Sequence, residues 1–512
     1  MTEQKDATGR SRMTRNLVGP WLGQLVVIVS GFVIPRFIDD NLGPVSLGIW
    51  DFGWSTVSYF RYMGLGICGG LNRNVALYTA KQDDTRLRRC VSTTLFLQLV
   101  VAALIVATTF LVAWLVPAMF DEIEPEQVVD AQTVLIFLGL SLAFSECFLP
   151  ARGILTGYHL WTANAGVTAF GDTILLIALL AVLVNGGTLA HLGMAVLATT
   201  VISEIIRGVL AKRVYQHPMF SWQSVNRKTM VEMTVFGLKI SIGAMSRMVV
   251  LQTTAICLAA AAGPAALAVY ARPLALFNTA NKFISLYAAL LTPVAGSLQG
   301  LSRDSELREL LLSSVQASFA MAIPAVLMLS GYGDAIITLW MGDDYVVPAL
   351  APILGLAFLL PCAHAAGLRI LIGIGAHGEV SVRSFLYSAV ALAISCTAAF
   401  WYGWSPIVAA IVLGVSLNAG PGLVIIVGAC RRFGVGFGDY LRGAVVRPLL
   451  CNLPLMAVIV VTRSLDKNVT ALEAALWCGV GGTMVVILYW FFIMPDELRD
   501  NLRRRAGLAA RT

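Results

Sequence analysis

Apolar residues in this chain run in long blocks, separated by short polar clusters. About 20 mostly apolar residues are enough for a helix to cross a bilayer. Fourteen such spans are read, at 17–38, 45–70, 91–116, 128–150, 160–184, 188–212, 231–260, 265–298, 308–332, 348–373, 381–402, 406–430, 441–462 and 471–494. The predicted fold is an all-α polytopic membrane protein. Its organisation is a tail at 1–16, a first lobe of six helices at 17–212, a linker at 213–230, a second lobe of six at 231–430, two further helices within 431–494, and a basic tail at 495–512. The longest connections fall around 212–230 and 299–307. The apolar run after the polar N-terminus is too long for a signal-peptide core and is expected to remain as the first span.

A weak echo runs through the pattern at an offset of 220 residues. Gly43-Pro44 and Leu47 return as Gly263-Pro264 and Leu267, and Asp84-Thr85-x-Leu87-Arg88 returns as Asp304-Ser305-x-Leu307-Arg308. Seven positions match between 43 and 96. The offset sets spans one to six against spans seven to twelve. Six spans is an even number, so the halves share one orientation and the repeat is parallel, an arrangement of alternating-access carriers. Spans thirteen and fourteen lie outside the repeat.

Composition agrees with the block pattern. The chain is 58% hydrophobic and 13% charged, with mean hydropathy +0.79, whereas soluble domains are about 25% charged. The net charge of +7 does not point to nucleic acid, because the basic residues sort by membrane side. Arg86, Arg88, Arg152, Arg207, Arg227, Arg308, Arg431 and their neighbours cluster on one side, whereas the other carries only Arg463 and Lys467 and is acidic at Asp121, Glu122, Asp334 and Asp343. By the positive-inside rule both termini are cytoplasmic, and the basic tail is attracted to anionic membrane lipid. Nine cysteines lie mostly in apolar segments without metal-ligand spacing and read as packing residues. No Walker motif, Ser-His-Asp set or acidic glycosyltransferase-like cluster is present, so an enzyme is not expected and no cofactor is called for.

Six basic residues remain inside spans: Arg36, Arg61, Lys239, Arg247, Arg272 and Lys282. A charge at the bilayer centre costs about 2.5–3.5 kcal/mol even on the mildest scale. Arg36 has Asp39 and Asp40 beside it and is expected to pair or snorkel. At 100° per residue the others fall on polar stripes of spans two, seven and eight, with Asp51 on the stripe of Arg61. The repeat pairs span one with seven and two with eight, which predicts a shared basic cavity. The competing reading is that each charge is satisfied privately within its own half. Arginine and lysine lining a cavity favour an anion, and guanidinium suits phosphate oxygens. The substrate-binding candidates are Arg61, Arg247, Arg272, Lys282 and Lys239. Asp51 is a candidate for charge pairing, with Arg272 or Arg36, or for ion coupling. Glu146 carries the same two candidate roles, and like Asp172 it has a structural hydrogen bond as its default. Glu204 is expected to pair with Arg207 on its helix surface.

Local patterns support a family resemblance: Asn16-Leu17-x-x-x-Trp21, Val33-x-Pro35, Leu42-Gly43-x-x-x-x-Gly48-Ile49-Trp50, Gly64-Leu65-Gly66 and Asn72-Arg73-x-Val75-Ala76. With the two six-helix halves and two extra helices, the chain resembles the polysaccharide-transporter (Wzx-type flippase) branch of the MOP flippase superfamily. That resemblance implies an inner-membrane flippase moving undecaprenyl-diphosphate-linked oligosaccharides to the periplasmic leaflet by alternating access. It implies an anionic lipid-linked oligosaccharide and membrane lipid as ligands, and a polysaccharide polymerase and chain-length regulator as partners. A drug/cation antiporter of the same superfamily and a non-transporting membrane protein of polysaccharide assembly are the alternatives, and a lipid II flippase is a near relative of the first reading.

Overall fold

The computed structural model describes residues 13–64, 67–119, 124–158, 160–363, 365–466, 469–494 and 499. The N-terminal residues 1–12 and most of the basic C-terminal tail therefore lie outside the described residues, as does the side chain of Lys239. Among the described residues the structure is helical throughout, with no strand. Packing divides the chain into two compact units, Met1–Met248 with Ala255–Ala268, and Val249–Thr254 with Val269–Thr512.

The first unit contains α1 (Met13–Phe60), a 3-10 turn at Arg61–Gly64, α2 (Ile67–Ala80), α3 (Asp84–Met119), α4 (Pro125–Cys147), α5 (Leu149–Gly157), α6 (Trp161–Val184), α7 (Leu189–Val214) and the early part of α8 (Arg227–Ala289). Local chemistry sets several of these boundaries. Pro125 fills the first turn of α4, where its missing N–H costs nothing, and Glu124 and Gln127 form a reciprocal capping box. Thr188 and His191 do the same for α7. The segment after α7 docks on α3: the Ser221 and Asn226 amides donate to the Ser92 and Thr93 hydroxyls, each at 3.2 Å.

The second unit holds the rest of α8, then α9 (Leu291–Gly300), α10 (Asp304–Met341), α11 (Leu350–Ala363), α12 (Ala365–Gly373), α13 (His377–Tyr402), α14 (Pro406–Leu417), α15 (Leu423–Phe433), α16 (Phe437–Tyr440), α17 (Arg447–Cys451), α18 (Leu453–Leu465) and α19 (Ala471–Phe492). A π-turn at Asn418–Gly422 joins α14 to α15, and another at Leu441–Val446 joins α16 to α17. A core of Leu307, Leu311, Phe319, Ile370, Ile426 and Tyr440 ties α10, α12, α15 and α16 together.

Ten helices among the described residues are long and apolar enough to cross a membrane, eleven if the bent pair 437–451 and 453–465 counts as one span. The remaining three lie in two long helices: α8 counts once for two spans, and α1, which holds two more, is not among those counted. The seventh and eighth spans run together in α8, and the first and second in α1, each continuous except for one residue. That residue is Gly43 in α1 (φ 82°, ψ 172°) and Gly263 in α8 (φ 83°, ψ 162°). Side chains rarely adopt such angles, which are nearly confined to glycine. Large apolar side chains stay on the outside, with Trp401 85%, Leu339 77% and Trp114 73% exposed. A surface of that kind suits lipid as solvent.

The 220-residue echo is thus structural. Besides the two glycine kinks, α3 and α10 both open on an aspartate, Asp84 and Asp304. Two residues before each stands a left-handed non-glycine, Gln82 (φ 54°) and Ser302 (φ 52°). Beyond these helices the offset shortens: α5 and α12, nine residues each, lie 216 apart.

Several sequence-based boundaries need correction. Span two does not continue to 70. Its helix stops at Phe60 and a new helix starts at Ile67, in a stretch whose glycines favour helix ends. The span read at 128–150 breaks at Phe148, after which Pro150 sits in the first turn of α5. The connection read around 299–307 is only the turn Leu301–Arg303. The span read at 441–462 is bent by 42°.

Candidate functional site: a charged cavity in the first unit

Three helices of the first unit turn polar ladders toward one another. Residues one helical turn apart share a face. On α4 these are Ser141, Ser145 and Glu146, on α6 Asn164, Thr168 and Asp172, and on α7 Thr199, Ser203, Glu204 and Arg207. The ladders enclose a cavity of about 610 Å3, which Arg61, Gly64 and Trp54 also line. Three arginines and three acids face it, so its formal charge is balanced.

One carboxylate organises most of that charge. Glu204, only 4% exposed, receives Arg152 Nη2 at 3.0 Å and Ser145 Oγ at 3.3 Å on Oε1, and Arg207 Nε at 3.0 Å on Oε2. Arg207, 2% exposed, also donates Nη1 to Asn164 Oδ1 and Nη2 to Thr168 Oγ1 at 3.3 Å. The same guanidinium lies within electrostatic reach of Asp172. Buried charges persist only when paired and hydrogen-bonded, and this network meets both conditions. The expected Glu204–Arg207 pair is therefore present, but it is buried and has Arg152 as a third member. Arg152 and Arg207, read from sequence as charges of the cytoplasmic side, belong to helices α5 and α7 and face this cavity.

Glu146 stands apart from that network. It is 7% exposed, and its Oε2 has no hydrogen-bond partner. Arg61 and Arg152 are the cations within electrostatic reach, Glu204 the anion. A Cβ built on Gly64 would lie 3.1 Å from this oxygen. The carboxylate thus points across the 3-10 turn that begins with Arg61.

The five basic candidates distribute as follows. Arg61 is not in mid-helix; it opens the turn after α1, exposed. Arg247, half-buried, lies in the same unit, and Tyr62 is within electrostatic reach of both arginines. Lys239 falls outside the described residues. Arg272 and Lys282 belong to the second unit, where Arg272, 3% exposed, lies 5.8 Å above the Trp340 ring, a cation–π distance, and Lys282 is exposed. Asp51 is half-buried on α1 and is not among the residues lining the cavity. Arg36 pairs with Asp40 at 3.0 Å. Arg463, one of the two exceptions to the charge asymmetry, pairs with Asp334 of α10 and donates Nε to the Gly331 carbonyl at 2.7 Å. Sequence reasoning missed the Arg152–Glu204–Arg207 network. Its available signal was the i, i+3 and i, i+4 recurrence of polar residues along α4, α6 and α7.

The MatE family profile matches residues 20–185, which reach from α1 to the end of α6. Comparison with curated protein sequences gives no match. Among solved structures, an inward-facing multidrug resistance MATE family transporter of the MOP superfamily superposes with TM-score 0.67 at 17% identity, covering 82% of this chain and 97% of that one. The lipid II flippase MurJ in an inward closed conformation gives TM-score 0.65 at 13% identity and covers 96% of this chain and 99% of its own. A MOP superfamily transporter from Pyrococcus furiosus, described as having a binding pocket of reverse polarity, gives 0.61 at 16% identity, covering 85% of this chain and 99% of that one. At these identities the likeness is one of architecture: this membrane chain has the MOP-type fold.

Proposed function

We propose that the protein is a flippase that carries an undecaprenyl-diphosphate-linked oligosaccharide across the inner membrane by alternating access, for cell-surface or exopolysaccharide synthesis. The observation that carries this reading is the pair Arg61 and Arg247, both within electrostatic reach of Tyr62. Guanidinium groups present the planar donors that phosphate oxygens accept. Arg272 and Lys282, in the second unit, and Lys239 extend the same preference for an anion. The lipid tail needs no site of its own, because it stays in the bilayer. The MurJ-like fold adds support, since that likeness extends over 96% of the chain, while the MATE likeness covers 82%. In this reading both termini face the cytoplasm, and a polysaccharide polymerase and chain-length regulator act on the product.

A drug or cation antiporter is the second reading, favoured by Glu146 and Asp172 in the first-unit cavity. Pools of lipid-linked oligosaccharide in cells with and without the protein separate the two. The flippase reading expects complete repeat units to accumulate on the cytoplasmic face and surface polymer to be lost. Unchanged pools with altered sensitivity to cationic dyes would replace it with the antiporter.

A further inference from the structure

The first-unit cavity holds one acceptor with nothing to accept. Glu146 Oε2 is buried and lacks a donor, and leaving such a group unpaired is costly. Of the acids nearby, Glu204 has both oxygens in ion pairs, and Asp172 lies within electrostatic reach of Arg207. A cation at Glu146 would sit within reach of Arg61 and Arg152, whose charges repel it. No group of three or more His, Cys, Asp or Glu among the described residues is placed to hold a metal ion. What Glu146 lacks is therefore a neutral hydroxyl or amide donor. Arg61, close by and exposed to the cavity, makes no ion pair among the described residues and offers donors to an anion. Half-buried Trp54 lines the same space and meets Trp50 edge-on, with centroids 5.9 Å apart. The volume, about 610 Å3, lies within the range of small-molecule sites.

We propose that this cavity is a subsite for the phosphate-linked sugar of the substrate, with Glu146 accepting from a ring hydroxyl or amide, Trp54 packing on the apolar C–H face, and Arg61 holding the adjoining phosphate. The inference rests on the anionic lipid-linked oligosaccharide reading and adds to it which end of the headgroup enters the first unit. A sugar has one apolar face and a rim of donors, so a cavity lined by both an aromatic ring and an unpaired carboxylate suits it. Gly64 leaves the carboxylate room to reach the ligand, since any side chain there would press on Oε2.

The test is equilibrium binding of N-acetylglucosamine 1-phosphate and of inorganic phosphate to the purified full-length protein in nanodiscs. The wild type is expected to prefer the sugar phosphate by about tenfold or more, as sites with an otherwise unpaired buried acceptor do. Glu146→Gln and Trp54→Ala are each expected to erase most of that preference while phosphate affinity holds. Two independent variants keep the test decisive if either one misfolds, and Trp54→Phe should restore part of the preference. Equal affinity of the wild type for the two probes overturns the subsite, as does a preference that survives both variants. Sodium binding lost in Glu146→Gln, with no sugar preference, assigns the carboxylate to a cation and also overturns it. Arg61→Gln is expected to weaken both probes alike. Unchanged phosphate binding in that variant would fault the anion reading of Arg61, whereas loss of the sugar preference alone faults only the subsite.

Discussion

Replacing Glu204 by glutamine keeps the side-chain volume and removes the single negative charge between two guanidinium groups. Arg207, with its side chain 3% exposed, would keep Asn164 and Thr168 as partners and Asp172 within electrostatic reach, but lose the one carboxylate in contact with it. Breaking a buried pair by removing one partner costs about 3–5 kcal/mol, because the remaining charge stays desolvated. Arg152 differs, because its side chain is 37% exposed. Arg152→Gln leaves the Glu204–Arg207 pair intact and should cost about 1 kcal/mol or less. Replacing both buried partners, Glu204→Leu with Arg207→Met, removes the charges together and should recover most of the loss. Seven described cysteines are free and buried or half-buried, so a thiol-reactive dye reports thermal unfolding in detergent. Glu204→Gln should lower Tm on the order of 10 °C, Arg152→Gln by about 2 °C, and the double replacement should return close to wild type. Equal losses for the two single variants would refute the assignment of the network's cost to Arg207. So would a double variant whose losses simply add.

The paired kinks predict paired penalties. Gly43→Ala and Gly263→Ala should each lose about 1–3 kcal/mol, read as matching falls in Tm; a tolerated alanine at either position would break the equivalence. Gly48→Ala is expected to abolish folded protein in fluorescence-detected size exclusion, because its Cβ would lie 1.9 Å from the Pro264 carbonyl oxygen, a backbone atom that cannot step aside. In the second unit Arg463→Ala should destabilise more than Asp334→Asn. The arginine also donates to Gly331 and lies 5.4 Å above the Tyr332 ring, whereas the aspartate is partly exposed and contributes about 0–1 kcal/mol. A double-mutant cycle measures the difference.

The sequence carried the repeat because its cause is local. Only glycine takes the kink at 43 and 263, and an aspartate opening a helix suits both 84 and 304. The later change of offset from 220 to 216 shows only in where the helices break, which hydropathy does not mark. Hydropathy also placed Arg61 in mid-helix, because the residues around the helix end are as uncharged as a span. There the break depends on glycine spacing, which hydropathy does not weigh. Arg152 and Arg207 were legible as charges but not as cavity residues. The Glu204–Arg207 pair is local to one helix and was legible, whereas Arg152 joins it only through tertiary packing of α5 against α7. Glu146 could be flagged in the sequence as an intramembrane acid, yet its missing hydrogen-bond partner is visible only once α4 and the 61–64 turn are folded together.

The central claim is that Arg61 and Arg247 bind the anionic headgroup of a lipid that the protein turns over. The most direct measurement reconstitutes the full-length protein into liposomes containing an undecaprenyl-diphosphate-linked oligosaccharide and follows its exposure to an external lectin. Wild type should accelerate exposure over protein-free liposomes, and Arg61→Ala with Arg247→Ala should return it to that background while retaining the wild-type elution profile. Wild-type rates in the double variant, or no acceleration by the wild type alongside uptake of a cationic dye, would contradict the account.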